Sequence, residues 1–148
     1  MSTGSTQMSE SKTVLVVDDE VAVLTVVSCM LQGGGYNVLL ATNADAALRL
    51  ATRESLAIDL ALVDVAMPDM SGPDLVERIV ATRPDVKVLF MSGYIDSEVV
   101  RIKVLDRGRE LLAKPFTPDG LLERVERALN FPELSATPTK VREASVGR

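Results

Sequence analysis

Val14-Leu15-Val16-Val17-Asp18-Asp19-Glu20 places four unbroken aliphatic residues directly before three consecutive carboxylates. An apolar run of this length, without polar alternation, reads as a strand buried on both faces, the condition of a parallel sheet covered by helices. The pattern recurs along the chain. Leu60-Ala61-Leu62-Val63 runs into Asp64, Val88-Leu89-Phe90-Met91 into Ser92-Gly93, and Leu111-Leu112-Ala113 into Lys114-Pro115-Phe116. Tyr36 to Ala41 supplies the remaining strand. In such sheets ligands bind beyond the carboxyl ends of the strands, and that is where these carboxylates, the hydroxyl and the lysine converge.

The segments between the runs have helical spacing. Val21 to Gln32 carries Val23, Val26, Val27, Met30 and Leu31 on one stripe, with Val21 and Leu24 outside it. Gly33-Gly34-Gly35 stops that helix and permits a left-handed exit. Asn43 to Glu54 is helical through Ala46, Ala47 and Leu50, and the strand that follows covers Ile58 to Val65. Met67-Pro68-Asp69-Met70-Ser71-Gly72 is a turn, and a helix carrying Leu75, Ile79 and Val80 inward runs from it to about Arg83. Pro84 and Asp85 break that helix before the strand Val86 to Met91. Asp96 to Arg107 is helical, with Val99, Val100, Ile102 and Leu105 spread widely around it. Thr117-Pro118 is an N-cap followed by proline at the first helical position, opening a last helix, Asp119 to Asn130, that buries Leu121, Leu122, Val125 and Leu129. Five βα units with right-handed crossovers give an α/β fold: a three-layer α/β/α sandwich on a five-stranded parallel sheet. The expected organisation is a tail over residues 1–12, one domain over 13–130 and a second tail over 131–148.

Composition narrows the function. The 148 residues are 47% hydrophobic, enough for a core, and the net charge of -5 argues against a general nucleic-acid surface. Cys29 is the one cysteine, which excludes an internal disulfide and fits a cytoplasmic setting. No segment is long and apolar enough for membrane insertion. The chain has no histidine, so phosphohistidine chemistry and histidine-based acid–base catalysis or metal ligation must come from elsewhere.

With sheet order 2-1-3-4-5, the first and third strands are neighbours and the topological switch point lies between them. Asp18, Asp19 and Asp64 then crowd together and repel unless a cation neutralises them. A hard divalent ion with oxygen ligands answers that need, and Mg²⁺ suits a site that leaves positions for water and a phosphoryl oxygen. Lys114 at the end of the fifth strand brings a cation toward the same place. Pro115 permits a cis peptide that aims Lys114 inward, and Ser92 ends the strand between Asp64 and Lys114.

These residues resemble the receiver domains of two-component response regulators. Val16-Val17-Asp18-Asp19-Glu20, Leu62 through Gly72, Met91-Ser92-Gly93 and Lys114-Pro115-Phe116 match that family in order and spacing over about Thr13 to Asn130. The resemblance implies a flavodoxin-like fold and a phosphoacceptor role for Asp64. It also implies Mg²⁺ held by Asp19 and Asp64 directly, by Asp18 through water and by the Ala66 carbonyl, with Ser92 and Lys114 gripping the phosphoryl group. It further implies a partner sensor histidine kinase or histidine phosphotransfer protein as donor. No independent enzyme class is expected; such a domain catalyses its own phosphorylation and dephosphorylation. A stand-alone regulator acting through protein contacts and a receiver cut from a hybrid sensor kinase both stay open, the latter as phosphate carrier or sink.

Five positions qualify or extend the resemblance. The family couples the Ser92 hydroxyl to an aromatic side chain at the position of Leu111, and leucine cannot hydrogen-bond there. Ala66 and Tyr94, two residues beyond Asp64 and Ser92, are expected beside the phosphoryl group, with Tyr94 either a shield or an ordinary surface tyrosine. Val21 and Leu24 are expected either to contact the kinase or to be scattered surface aliphatics. Two other classes were weighed on the residues. A flavodoxin-like cofactor binder presents backbone N–H groups to a phosphate after its first strand, where three acids would repel it. An aspartyl-nucleophile phosphatase places its nucleophile after the first strand with a second Asp two residues on, whereas Asp18 and Asp19 are adjacent.

Overall fold

The computed structural model describes residues 11–93 and 98–130. The expectations for the two tails, for Tyr94 and for the first turn of the helix beginning at Asp96 therefore fall outside the described residues, apart from Ser11 and Lys12.

The strands are β1 (Thr13–Val17), β2 (Asn37–Ala41), β3 (Leu60–Asp64), β4 (Lys87–Ser92) and β5 (Glu110–Ala113). They form one parallel sheet in the order β2-β1-β3-β4-β5, as expected. The helices are α1 (Val21–Gly33), α2 (Ala44–Ala51), α3 (Gly72–Thr82) and α5 (Pro118–Asn130). Between them, α4 is a short helical turn, Glu98–Val100, that widens into π-helical Arg101–Leu105.

The two-residue period of the strands sorts the core into two layers. Val14, Val16, Leu60, Leu62, Leu89, Met91 and Leu112 face one side, where α1 contributes Leu24, Val27 and Leu31, and α5 contributes Leu121, Val125 and Ala128. Leu15, Val17, Ala61, Val63, Val88 and Phe90 face the other side, against α2, α3 and α4. On that side α2 packs through Ala44, Ala47 and Ala51, small residues that let it approach the sheet closely. Helix starts are fixed by side-chain caps: Asn43 accepts from the Ala46 N–H at 2.7 Å, Ser71 from Asp74 at 3.2 Å and Thr117 from Gly120 at 3.0 Å. The exit from α1 uses Gly35 at φ 93°, the left-handed conformation expected of the glycine run.

Two expectations change. The α1 stripe is rotated in part: Val23, Val27, Met30 and Leu31 pack on the core as expected, but Leu24 joins them at 3% exposure, whereas Val26 is 51% exposed. The helix is apolar over most of its circumference, so the sequence offers two overlapping stripes. The i, i+3, i+7 set Leu24, Val27 and Leu31 takes the sheet. Val21, at 64% exposure, does stand outside it. The wide apolar spread over α4 also has a structural cause. Asp106 N–H bonds back five residues to the Arg101 carbonyl at 2.9 Å, a π turn that rotates successive side chains by less than an α turn does. Val104 is thereby buried, while Ile102 and Leu105 stay exposed.

The rotation of α1 is checked by paired truncations. Leu24→Ala should lower unfolding stability in urea by about 2–4 kcal/mol, whereas Val26→Ala should cost less than about 1 kcal/mol.

Candidate functional site

Sheet register brings the acids together. Val17 pairs with Val63 across β1 and β3, so the residues immediately following, Asp18 and Asp64, emerge side by side. Alternation continues past the strand ends. Asp18 follows Val14 and Val16, Asp64 follows Leu60 and Leu62, and Lys114 follows Leu112, all on the layer shared with α1 and α5. Ser92 follows Val88 and Phe90 on the opposite layer. Parity therefore directs Lys114 toward the two aspartates, while Ser92 leaves the neighbouring strand end from the opposite face.

The contacts agree. Lys114 Nζ donates to Asp18 Oδ2 at 2.9 Å and lies 3.5 Å from Asp64 Oδ1. The Lys114–Pro115 peptide is cis. Asp18 is completely buried, Asp64 nearly so, and Asp19 is exposed. Each of these three acids offers a carboxylate oxygen within 4.8 Å of the others. Asp18 Oδ1 also accepts from the Glu20 N–H at 2.9 Å, which fixes the turn after β1. Ser92 is buried at the end of β4, and its carbonyl accepts from the Lys114 N–H at 2.9 Å. Ala66 is exposed just beyond Asp64, and its backbone N–H donates to the Asp64 carboxylate.

Charge is unbalanced here. Three carboxylates face one ammonium. Burial, reinforced by Asp18, pushes the Asp64 carboxyl up from its usual 3.8 to about 6, against the opposing pull of Lys114 and the Ala66 N–H. Burial pushes Lys114 down, but the hydrogen bond it donates to Asp18 and the charges of Asp64 and Asp18 outweigh it, and the net effect is upward. A cluster of hard oxygen donors with surplus negative charge, and with neither histidine nor thiolate among them, suits a divalent cation such as Mg²⁺.

The loop after Asp64 is closed tightly at its base. Val65 N–H donates to the Met91 carbonyl at 3.0 Å, and Gly72 N–H to the Val65 carbonyl at 2.8 Å. A Cβ on Gly72 would stand 2.2 Å from the Asp64 carbonyl oxygen, so only glycine lets α3 begin this close to the strand end. At its tip, Asp69 Oδ2 accepts from the Ala44 N–H of α2 at 3.0 Å. From the sequence Asp69 is an ordinary turn residue, since an acid in a Pro-Asp turn carries no signal of a partner 25 positions away.

An apolar groove of about 300 Å³ lies beside this site, between α1 and the segment after β5. It is lined by Ala22, Val23, Val26, Val27, Met30, Pro115 and Phe116, with Lys114 at its edge. The rotation of α1 described above is what turns Val26 toward it.

Residues 14–126 match the family model described as the response regulator receiver domain. The chain is 36% identical over 125 residues to the sensor kinase CckA of Brucella abortus, covering 84% of this chain but 13% of that relative. A response regulator receiver domain protein from Methanospirillum hungatei superimposes with a TM-score of 0.75 at 32% identity, covering 84% of this chain and 98% of that one. The response regulator TrrA from Thermotoga maritima, solved in complex with Mg²⁺-BeF, gives a TM-score of 0.66 at 30% identity, covering 80% of this chain and 99% of that one.

Asp64 makes metal-free stability depend on pH. Its folded pKa is raised, so its contribution is fully present below 3.8 and is lost as pH rises through about 6. Urea unfolding in a chelating buffer should show Asp64→Asn stabilising the protein by about 2 kcal/mol above that window and having little effect below it. Gly72→Ala should destabilise it by about 1–3 kcal/mol at any pH, because the Asp64 backbone must move.

Proposed function

The chain belongs to the response regulator receiver domains of two-component systems, and on that premise we propose that Asp64 accepts a phosphoryl group from a phosphohistidine of a partner protein. The observation that carries this reading is the convergence of Asp64 with Asp18, Asp19 and Lys114 at the carboxyl ends of neighbouring strands. An Asp64 carboxylate oxygen attacks phosphorus in line with the P–N bond of the donor. The P–O bond forms, the P–N bond breaks with its electron pair leaving on the imidazole, and an acyl phosphate results.

The chain's own residues account for much of the rate. The fixed Asp64 backbone, wedged against Gly72, holds the nucleophile in place and spares orientation entropy. Lys114, 3.5 Å from Asp64, exchanges part of its contact with Asp18 for a phosphoryl oxygen as charge moves outward. Ser92 is assigned a hydrogen bond to another phosphoryl oxygen. Asp19, Asp64 and the Ala66 carbonyl are assigned as the direct ligands of Mg²⁺ and Asp18 as a ligand through water; the ion's charge would offset the acids and the phosphoryl oxygens when it is bound.

The donor is proposed to dock in the groove beside α1. The apolar lining suits a helix of a histidine kinase or histidine phosphotransfer protein, and Val26 replaces Leu24 as the contact residue because Leu24 is buried. A second reading, phosphate carriage rather than output, draws support from the likeness to a sensor kinase and from Leu111. The Leu111 side chain is partly buried against the core and lacks the polar atom that would couple it to Ser92. Phosphorylation-induced NMR shifts confined to the site would favour carriage, and large shifts around Leu111 and α4 would favour output.

Incubation with Mg²⁺ and acetyl phosphate should load one labile phosphate per chain, absent in Asp64→Asn and absent in excess chelator. Full labelling of Asp64→Asn defeats the assignment. Val26→Glu should slow transfer from the cognate histidine kinase by about tenfold or more while leaving acetyl phosphate labelling unchanged.

A further inference from the structure

The hydrogen bond at the tip of the loop after Asp64 joins two elements that do not otherwise need each other. Asp69 is exposed, yet its Oδ2 accepts from the N–H of Ala44, the first residue of α2, at 3.0 Å. That helix already has a cap of its own, since Asn43 accepts from the Ala46 N–H. Asp69 serves a different orphan donor and adds a negative charge at the positive end of the helix.

The rest of the loop shows what this bond holds. Its two ends are pinned by the Val65, Met91 and Gly72 backbone bonds. Met67 and Met70 pack partly buried against the core, a contact that is apolar and without direction. Among the described residues, the Asp69–Ala44 bond is the directional link between the loop's tip and another element. Ala66 sits on the near limb of that loop, two residues beyond Asp64, and its N–H favours the charged Asp64 carboxylate.

We propose that Asp69 is a positioning residue for the Asp64 site, tethering the loop to α2 so that the backbone of Ala66 stays in register with the Asp64 carboxylate. This rests on the phosphoacceptor reading, in which the Ala66 carbonyl is a metal donor. Without the tether only the undirected apolar contacts of Met67 and Met70 with the core hold the loop's tip, and the ligand geometry loosens while the fold survives. Mg²⁺ is sensitive to this because it demands near-octahedral geometry.

The controls are built into the same helix start. Asp69→Ala removes the tether. Asp69→Asn keeps an acceptor oxygen while removing the charge, so it separates the hydrogen bond from long-range electrostatics. Asn43→Ala removes the other cap of α2 and leaves the tether in place. Mg²⁺ affinity is measured by calorimetry on the full chain, with urea unfolding in parallel. Asp69→Ala should weaken Mg²⁺ binding about fivefold, with Asp69→Asn close to wild type. Asn43→Ala should lose stability comparably but bind Mg²⁺ as wild type does. Unchanged Mg²⁺ affinity in Asp69→Ala, or equal loss in Asn43→Ala, overturns the tether while leaving the phosphoacceptor reading intact. Absence of Mg²⁺ uptake by the wild-type chain overturns that reading and the tether with it.

Discussion

Lys114 and the two buried aspartates, Asp18 and Asp64, form the interaction on which the remaining structure turns. Burying carboxylates is costly, and one ammonium cannot offset three acids in a small space. The lysine resolves the conflict unevenly. It bonds Asp18, which has no solvent, at 2.9 Å, and stands farther from Asp64 at 3.5 Å. Asp64 is left as the partly unsatisfied member, its carboxyl pushed up to about 6 by burial and by Asp18. A fold selected only for stability would place an amide or an apolar residue there. The local penalty marks the position where an incoming electrophile and a cation have most to gain.

That arrangement is a consequence of sheet arithmetic. Strand order places β1 and β3 side by side, and parity then sends Asp18, Asp64 and Lys114 to one layer and Ser92 to the other. A one-residue slip in β1 would exchange Asp18 with Asp19, sending the exposed acid inward and the buried one out. The register is protected because both faces of every central strand are covered: Val14, Leu15, Val16 and Val17 are all fully buried. The core thus fixes the site without contacting a ligand.

The sequence made this much legible because buried parallel strands announce themselves as unbroken apolar runs. Asp18, Asp64 and Lys114, which converge, and Ser92 beside them in the sheet all stand at the ends of those runs. What stayed hidden had no period to read. Helix α1 is apolar over most of its circumference, so the stripe read from sequence holds for Val23, Val27, Met30 and Leu31 but puts Val26 where Leu24 belongs. In α4 a π turn breaks the 3.6-residue rule on which the reading relied. Asp69 lies in a turn, where residue type predicts local bonds and not a link to α2.

The layers also differ in how firmly they hold their helices. On one side, α5 is fastened to β5 by more than apolar contact: Arg124 Nη2 donates to the Leu111 carbonyl at 2.8 Å and to Glu110 Oε1 at 3.2 Å. On the other, α4 relies on Val100 and Val104 for its burial. Its ion pairs to α3, Lys103 with Asp74 and Arg107 in the following turn with Glu77, are solvent-exposed. Exposed pairs contribute little, and a π-helical segment has poorer hydrogen-bond geometry than an α-helix. Local stability is therefore low at α4, in contrast to α5. Leu111 lies between the two regimes, its carbonyl bound to α5 and its side chain packed in the layer of α4. With leucine there, β5 can pass strain to α4 only through packing, since no side-chain hydrogen bond is available to carry it.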